Sequence, residues 1–132
     1  LSEISSAGFE LENFDENIEM LKSLSLQTGS VIAVTGVVDI ITNGAHTYLI
    51  TNGCEMLSMV TGTGCMLTAL IASYISSKSI LEATVLAIAL MGICGELSQY
   101  VKGTGSFRTE LIDNIFSISD DIIIKKIRYE LK

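Results

Sequence analysis

The strongest constraint on the fold is the order in which helical patterns and short β-branched runs follow one another. Residues 15–28 place apolar side chains among polar ones, as in a surface helix that packs on a sheet. Residues 31–34 form a short apolar run that suits a strand buried on both faces. Residues 39–42 and 47–51 flank Asn43-Gly44, which favours a hairpin with a type I′ turn. This order predicts an α/β layered protein rather than a helix bundle.

Further helical patterns follow the hairpin, at residues 65–77, 80–101, 107–117 and 119–131. Of the 132 residues 48% are hydrophobic and 17% are charged, which argues against a disordered tail. The strands are few for a complete sheet, and Leu1-Ser2-Glu3-Ile4 opens without an evident lead-in. We therefore expect the chain to be part of a larger protein.

The apolar content raises the question of a membrane span. The stretch at residues 56–77 is interrupted by the polar and glycine residues 61–64, and the stretch at 83–95 is 13 residues long. A spanning helix needs roughly 20 apolar residues. Residues 1–10 also lack the basic and apolar regions of a secretory signal. We expect buried helices, no membrane partner and a cytoplasmic location.

The net charge of −7 argues against a nucleic-acid partner, because no basic stripe is present to replace counterions on phosphates. It does not exclude a nucleotide, which backbone amides can hold. The three cysteines, Cys54, Cys65 and Cys94, are an odd number without metal-ligand spacing. They are expected to be free thiols in a reducing compartment.

The most informative motif is Thr61-Gly62-Thr63-Gly64-Cys65, which precedes an apolar helical pattern. Its two glycines allow a tight turn, and the first amides of the following helix lack internal partners. These amides predict a site for phosphate, or for charge that develops during phosphoryl transfer. A cysteine thiolate at such a terminus can accept a proton from a substrate hydroxyl. The alternative is an ordinary tight connection with a small buried cysteine, and the motif alone leaves both open.

Four other residues are candidates for a role in structure or binding. Thr35 and Gly36 follow the predicted buried strand, where ligands of α/β sheets gather, so they are placed to contact a nucleotide unless they form an ordinary turn. Ser106, in the segment Gly103-Thr104-Gly105-Ser106-Phe107, is expected to cap the next helix, with a role at the edge of a nucleotide site as the alternative. Glu96 is expected to be salt-bridged or solvated.

Together these segments resemble the carboxyl-terminal half of the hydroxyethylthiazole kinase family, which is ribokinase-like. The resemblance covers about residues 1–118 and implies a three-layer α/β/α fold, of which residues 1–132 would be the carboxyl-terminal portion. It rests on VIAVTGVVDIITNG at 31–44, NG at 52–53, VTGTGC at 60–65, GE at 95–96 and GTGSF at 103–107.

The resemblance implies ATP- and Mg²⁺-dependent phosphorylation of the primary alcohol of 4-methyl-5-(2-hydroxyethyl)thiazole, which salvages the thiazole part of thiamine. It also implies a homotrimer with active sites at subunit boundaries. It places Cys65 where most ribokinase relatives have a catalytic Asp, Gly62 at the thiazole substrate and Thr35 at the nucleotide. The amides of Gly62, Thr63, Gly64 and Cys65 would form the anion hole, and Glu3 would help to place Mg²⁺.

The sequence departs from the family pattern at Val37, where Glu is usual, and at Thr104, where Pro is usual. The amino-terminal half of the family, which holds most of the thiazole pocket and an ATP-binding Arg, has no counterpart in these residues. We therefore expect little or no kinase activity from this chain alone. The alternatives are a related kinase for a sugar or pyrimidine alcohol, and a non-catalytic fragment that retains the fold.

Overall fold

The computed structural model describes residues 14–76 and 79–132. The four strands form one antiparallel sheet in the order β1-β2-β3-β4, and helices flank it, so the predicted α/β class is confirmed. The elements are α1 (Phe14–Thr28), β1 (Ile32–Val34), β2 (Asp39–Thr42), β3 (Thr47–Ile50), α2 (Met56–Met59), α3 (Thr63–Ile75), α4 (Ile80–Ser98), α5 (Thr104–Ser117), α6 (Asp120–Lys126) and β4 (Tyr129–Leu131).

The sheet separates two apolar clusters because successive strand residues point to opposite faces. On one face Ile40 of β2 packs in a cluster with Ile18 and Leu21 of α1. On the other face the neighbouring Ile41 packs in a cluster with Ile88 of α4. Helices therefore cover both faces, as the α/β/α arrangement requires.

The hairpin between β2 and β3 forms where it was predicted, but its turn differs. Thr42 pairs with Thr47, which leaves a four-residue loop. A type I′ turn needs positive φ at both central residues, whereas within the described residues positive φ occurs at glycines alone, Gly44 (+87°) among them. The side-chain oxygen of Asn43 instead accepts hydrogen bonds from the amides of Ala45 (3.1 Å) and His46 (2.8 Å). These side-chain contacts stabilise the longer loop, so the prediction of a type I′ turn is wrong.

Strand β1 is less buried than predicted. Its residues are half-buried or exposed rather than enclosed on both faces. Within the described residues β1 pairs with β2 alone and therefore lies at the edge of the sheet. The prediction that this strand is buried on both faces is therefore wrong for this chain alone.

The carboxyl-terminal end is the largest departure from the predicted elements. A single helix was expected at 119–131, but α6 ends at Lys126 and β4 follows it. Strand β4 pairs with β3, with Tyr129 opposite Ile50. Pairing with the edge of β3 satisfies backbone groups that a continued helix would have satisfied internally, so a distant contact decides the local conformation.

The ends of the predicted helices also shift. Helix α3 begins at Thr63 and α5 at Thr104, earlier than their apolar patterns indicated. Ser106 therefore lies inside the first turn of α5, whose N-cap is Gly103, and the predicted capping role of Ser106 is wrong. Helix α4 begins with a capping box, in which the Ser79 side chain accepts from the Glu82 amide and the Glu82 carboxylate accepts from the Ser79 amide.

Helix α4 is long and apolar enough to cross a membrane by length and composition alone. However, 61% of its apolar window is buried inside the protein. Its buried residues include Ile88, Ala89 and Ile93, which face other parts of the chain. These properties are those of the core helix of a folded domain.

Candidate functional site

A cleft of about 760 Å³ opens between the sheet and helices α3 and α4. The turn between β1 and β2 forms one side, and the loop after β3 continues the wall. The residues that line it are Thr35, Gly36, Val37, Asp39, Thr51, Asn52, Gly53, Cys54, Glu55, Leu57, Ser58, Thr63, Gly64, Leu67, Ile88, Met91 and Gly92.

The bend before α3 exposes backbone amides. Gly62 has a φ of +100°, a left-handed conformation that glycine adopts without steric cost. The first hydrogen bond of α3 runs from the Met66 amide to the Gly62 carbonyl (3.0 Å). Within residues 14–76 and 79–132, the amides of Thr63, Gly64 and Cys65 have no hydrogen-bond partner. Such amides at a helix N-terminus can bind an anion.

The bend is open rather than filled by neighbouring side chains. A Cβ atom added at Gly62 or Gly64 would meet no atom within 4 Å. The hydroxyl of Thr63 donates to the carbonyls of Leu57 (2.9 Å) and Val60 (3.2 Å), which fixes the start of α3 against the preceding segment. The bend therefore combines a held backbone with free space beside its amides.

The structure gathers four of the predicted site residues into one cleft, since Thr35 and Gly36 lie on one side and Thr63 and Gly64 on another. Gly62 and Cys65 adjoin this lining in the chain without belonging to it. The Cys65 residue is exposed rather than packed among apolar side chains. Glu3 lies outside the described residues.

Sequence reasoning missed Asp39, which lines the same cleft. Its side-chain oxygen Oδ1 accepts a hydrogen bond from the Gly36 amide at 2.9 Å. Burial raises the pKa of the Asp39 carboxyl to about 6, while the Gly36 hydrogen bond acts in the opposite direction. The signal in the sequence was an acidic residue at the start of an otherwise apolar strand, Asp39-Ile40-Ile41.

Glu96 is salt-bridged, as expected, and it also shapes the cleft. Its Oε1 accepts hydrogen bonds from the Gly53 amide (2.9 Å) and from Asn52 Nδ2 (3.2 Å). Arg128 forms an ion pair with the same oxygen. Burial alone would raise the pKa of Glu96, but the hydrogen bonds from Arg128, Gly53 and Asn52 hold it below its ordinary value. The cleft-lining residues Asn52 and Gly53 are thereby fixed to α4.

Comparison with known proteins agrees with this geometry. The sequence profile of the hydroxyethylthiazole kinase family matches residues 4–121. The chain belongs to the hydroxyethylthiazole kinase family. The resemblance drawn from the sequence motifs is thus confirmed.

Individual members of the family support the assignment. Hydroxyethylthiazole kinase 2 of Clostridium botulinum (strain Langeland) is 81% identical over 117 residues, which is 89% of this chain and 44% of that protein. Hydroxyethylthiazole kinase of Clostridium acetobutylicum is 42% identical over 125 residues, 90% of this chain and 46% of that protein. The solved structure of hydroxyethylthiazole kinase from Pyrococcus horikoshii OT3 superposes with a TM-score of 0.85 at 30% identity, covering 92% of this chain and 48% of that one. The chain thus spans less than half the length of these relatives.

Proposed function

We propose that the protein to which this chain contributes phosphorylates the primary alcohol of 4-methyl-5-(2-hydroxyethyl)thiazole with ATP. Residues 1–132 would form the carboxyl-terminal half of its kinase domain. The observation that carries the proposal is the open bend at Gly62, whose partnerless amides adjoin the same cleft as Thr35 and Gly36. The acceptor alcohol and the γ-phosphate of the donor can meet in such a cleft.

Each site residue has a role in the proposed transfer. The alcohol oxygen attacks the γ-phosphorus, the bond to the β–γ bridging oxygen breaks, and ADP leaves. The amides of Gly62, Thr63, Gly64 and Cys65 stabilise the charge on the transferred group, and Thr35 and Gly36 contact the nucleotide. The Cys65 thiolate accepts the alcohol proton, and its exposure at the start of α3 leaves it accessible to a substrate. Gly62 contacts the thiazole.

The proposed reaction uses Mg²⁺, which proteins bind through one or two carboxylates together with substrate phosphates. Among the described residues no cluster of three or more metal-binding side chains occurs. The carboxylates of the described cleft lining are Asp39 and Glu55. From the family resemblance we give Glu3 the indirect role of helping to place this ion, which would neutralise phosphate charge when it enters with ATP.

The proposal includes a homotrimer in the cytoplasm, with active sites at subunit boundaries. Helix α3 supports a partner surface next to the site. Its sequence, TGCMLTALIASYI, is strongly apolar, yet none of its residues is buried in this chain. Covering such a helix, by the amino-terminal half or by another subunit, removes apolar surface from water and stabilises the assembly.

Complementation tests the proposal. The chain would be combined with the amino-terminal half of the C. botulinum relative, and ATP-dependent phosphorylation of the thiazole alcohol would be measured. We expect turnover from the mixture and little or none from either part alone. Robust activity of the lone chain would contradict the shared-site assignment. If calorimetry of the mixture with MgATP and thiazole alcohol shows no coupled binding, the non-catalytic alternative stands.

The role of Cys65 is tested separately in the active mixture. Cys65→Ser should lower kcat, since a serine hydroxyl is a far weaker proton acceptor than a thiolate. The backbone amides remain in place, so the KM for MgATP should be unchanged. Undiminished turnover would assign the contribution of the bend to its amides alone. A faster reaction with a sugar or pyrimidine alcohol than with the thiazole would favour a related kinase.

A further inference from the structure

The turn between β1 and β2 carries two residues that we assign to the nucleotide, Thr35 and Gly36. Little packing holds this turn, because Thr35, Gly36 and Val37 are all exposed, Val37 to 96%. The contact that shapes it comes from Asp39, whose Oδ1 accepts the Gly36 amide hydrogen at 2.9 Å. Val38 packs against the apolar cluster of Ile40, and the pairing of Val34 with Ile40 joins the two ends of the turn. Among the described side chains, Asp39 is the one that bonds to the exposed part, residues 35–37.

Asp39 is itself firmly placed. It is the first residue of β2, pairs with Ile50 of β3, and is 9% exposed. The sheet thus fixes its backbone, and its side chain reaches back to the turn. Because the Gly36 amide hydrogen is directed at Asp39, the proposed contact of Gly36 with the nucleotide would involve the other atoms of this residue.

The described cleft lining offers the Asp39 carboxylate no cation with which it could form a stabilising ion pair. The side of the cleft that α4 supplies is lined by Ile88, Met91 and Gly92, and α3 adds Leu67. Within the described cleft lining the other titratable groups are Cys54 and Glu55, neither of which is a cation. Burying a carboxylate in such surroundings has a free-energy cost. The hydrogen bond to the Gly36 amide is the interaction that offsets this cost, so the carboxylate serves to orient the turn.

We propose that Asp39 is a positioning residue for the nucleotide, acting through the hydrogen bond that sets the conformation of residues 35–38. This inference rests on the proposed kinase function. Asp39 presents Thr35 to the nucleotide, and it does so without touching the nucleotide itself. A group that accepts a hydrogen bond at this position is required, and a negative charge is not.

Two substitutions separate this role from direct ligand binding, measured in the active mixture of this chain with the amino-terminal half. Asp39→Ala removes the acceptor and should raise the KM for MgATP roughly tenfold, the effect of losing one such hydrogen bond. The KM for the thiazole alcohol and kcat should stay within about twofold. Asp39→Asn retains an oxygen that can accept from Gly36 and should keep a KM near that of the wild type.

The other outcomes overturn the inference. If Asp39→Asn is as impaired as Asp39→Ala, the charge itself is needed and Asp39 binds the ligand directly. If both KM values and kcat change together in Asp39→Ala, the residue has a general structural role. If neither variant changes any constant, the turn is held by other contacts.

A second readout needs no nucleotide. In the same mixture with ¹⁵N-glycine in this chain, the Gly36 amide signal should shift with pH with a midpoint near 6, and should not do so in Asp39→Asn. Gly36→Ala identifies the signal, since an added Cβ would meet only the Val38 carbonyl oxygen at 3.7 Å. If no pH-dependent shift of this signal is lost in Asp39→Asn, the side chain does not bond to the Gly36 amide and the inference is wrong. Titration without any ATP-dependent turnover sinks the proposed function and leaves the hydrogen bond established.

Discussion

Glu96 near the end of α4 and Arg128 just before β4 are joined by an ion pair, with Nη2 and Oε1 2.5 Å apart. Arg128 also donates to the Thr51 carbonyl (2.8 Å). The Arg128 amide donates to the side-chain oxygen of Asn52 (2.7 Å), and Asn52 Nδ2 donates to the Lys126 carbonyl (3.0 Å). These four contacts together link the core helix, the wall of the cleft and the carboxyl-terminal strand.

Removal of the carboxylate should harm this junction more than removal of the cation. Glu96→Ala removes the acceptor of the Gly53 amide, one of the two acceptors of Asn52 Nδ2 and the partner of Arg128. Because these are hydrogen bonds to a charged group, we expect a loss of about 1–3 kcal/mol in the free energy of unfolding. Arg128→Ala removes a half-exposed side chain and should cost roughly 1 kcal/mol or less. Urea denaturation measures both. Glu19→Ala, which breaks the surface pair with Lys22, is the control and should be nearly neutral; equal effects at all three sites would contradict the network.

The buried Asp39 predicts an unusual pH dependence of stability. Its pKa rises from 3.8 to about 6 on folding, so between these values the folded state binds more protons than the unfolded state. The contribution of Asp39 to the free energy of unfolding therefore falls as pH rises from about 4 to about 6. Asp39→Asn should be more stable than the wild type at pH 7, by up to about 3 kcal/mol, and the difference should vanish near pH 4. Thermal denaturation of both proteins between pH 4 and pH 7 tests this prediction. If Asp39→Asn is less stable than the wild type at pH 7, the predicted direction of the effect is wrong.

The approach of α4 to the cleft wall depends on Gly92. A Cβ at this position would lie 2.5 Å from the Asn52 carbonyl oxygen, closer than non-bonded atoms allow. Gly92→Ala should therefore destabilise the protein by about 1–3 kcal/mol and displace Asn52. Gly105→Ala in α5, where an added Cβ meets no atom within 4 Å, is the matched control. It should stabilise by roughly 0.5–1 kcal/mol through helix propensity, so a shift of the same sign in both variants would count against the contact.

Thr104 is the first residue of α5, a position that favours proline because the N–H there lacks a helical acceptor. The preceding Gly103 is extended, as a residue before proline prefers. Thr104→Pro should therefore raise the free energy of unfolding by roughly 0.5–1 kcal/mol, because proline reduces the conformational entropy of the unfolded chain. Thr109→Pro, inside the same helix, should lower it by about 3 kcal/mol. A destabilising Thr104→Pro would mean that the helix starts elsewhere.

The candidate site was predictable where local geometry defines it. Gly62 and Gly64 before an apolar helix predicted a bend with free amides, and that bend lies beside the predicted Thr35 and Gly36. Asp39 was missed because its role depends on a turn that brings Gly36 back to it. The wall formed by Asn52 and Gly53 was also missed, since Glu96 and Arg128, which hold it, are far away in sequence.

The family was predictable from the resemblance of the motifs. The main helices and the β2–β3 hairpin were predictable because glycine placement and apolar periodicity act over a few residues. The tertiary structure alone decided that Tyr129–Leu131 is a strand and that β1 lies at the edge of the sheet in this chain. It also decided that Asp39 is buried at the cleft. These features depend on backbone pairing and desolvation between distant segments, whose free energies exceed the local preferences that a sequence pattern reports.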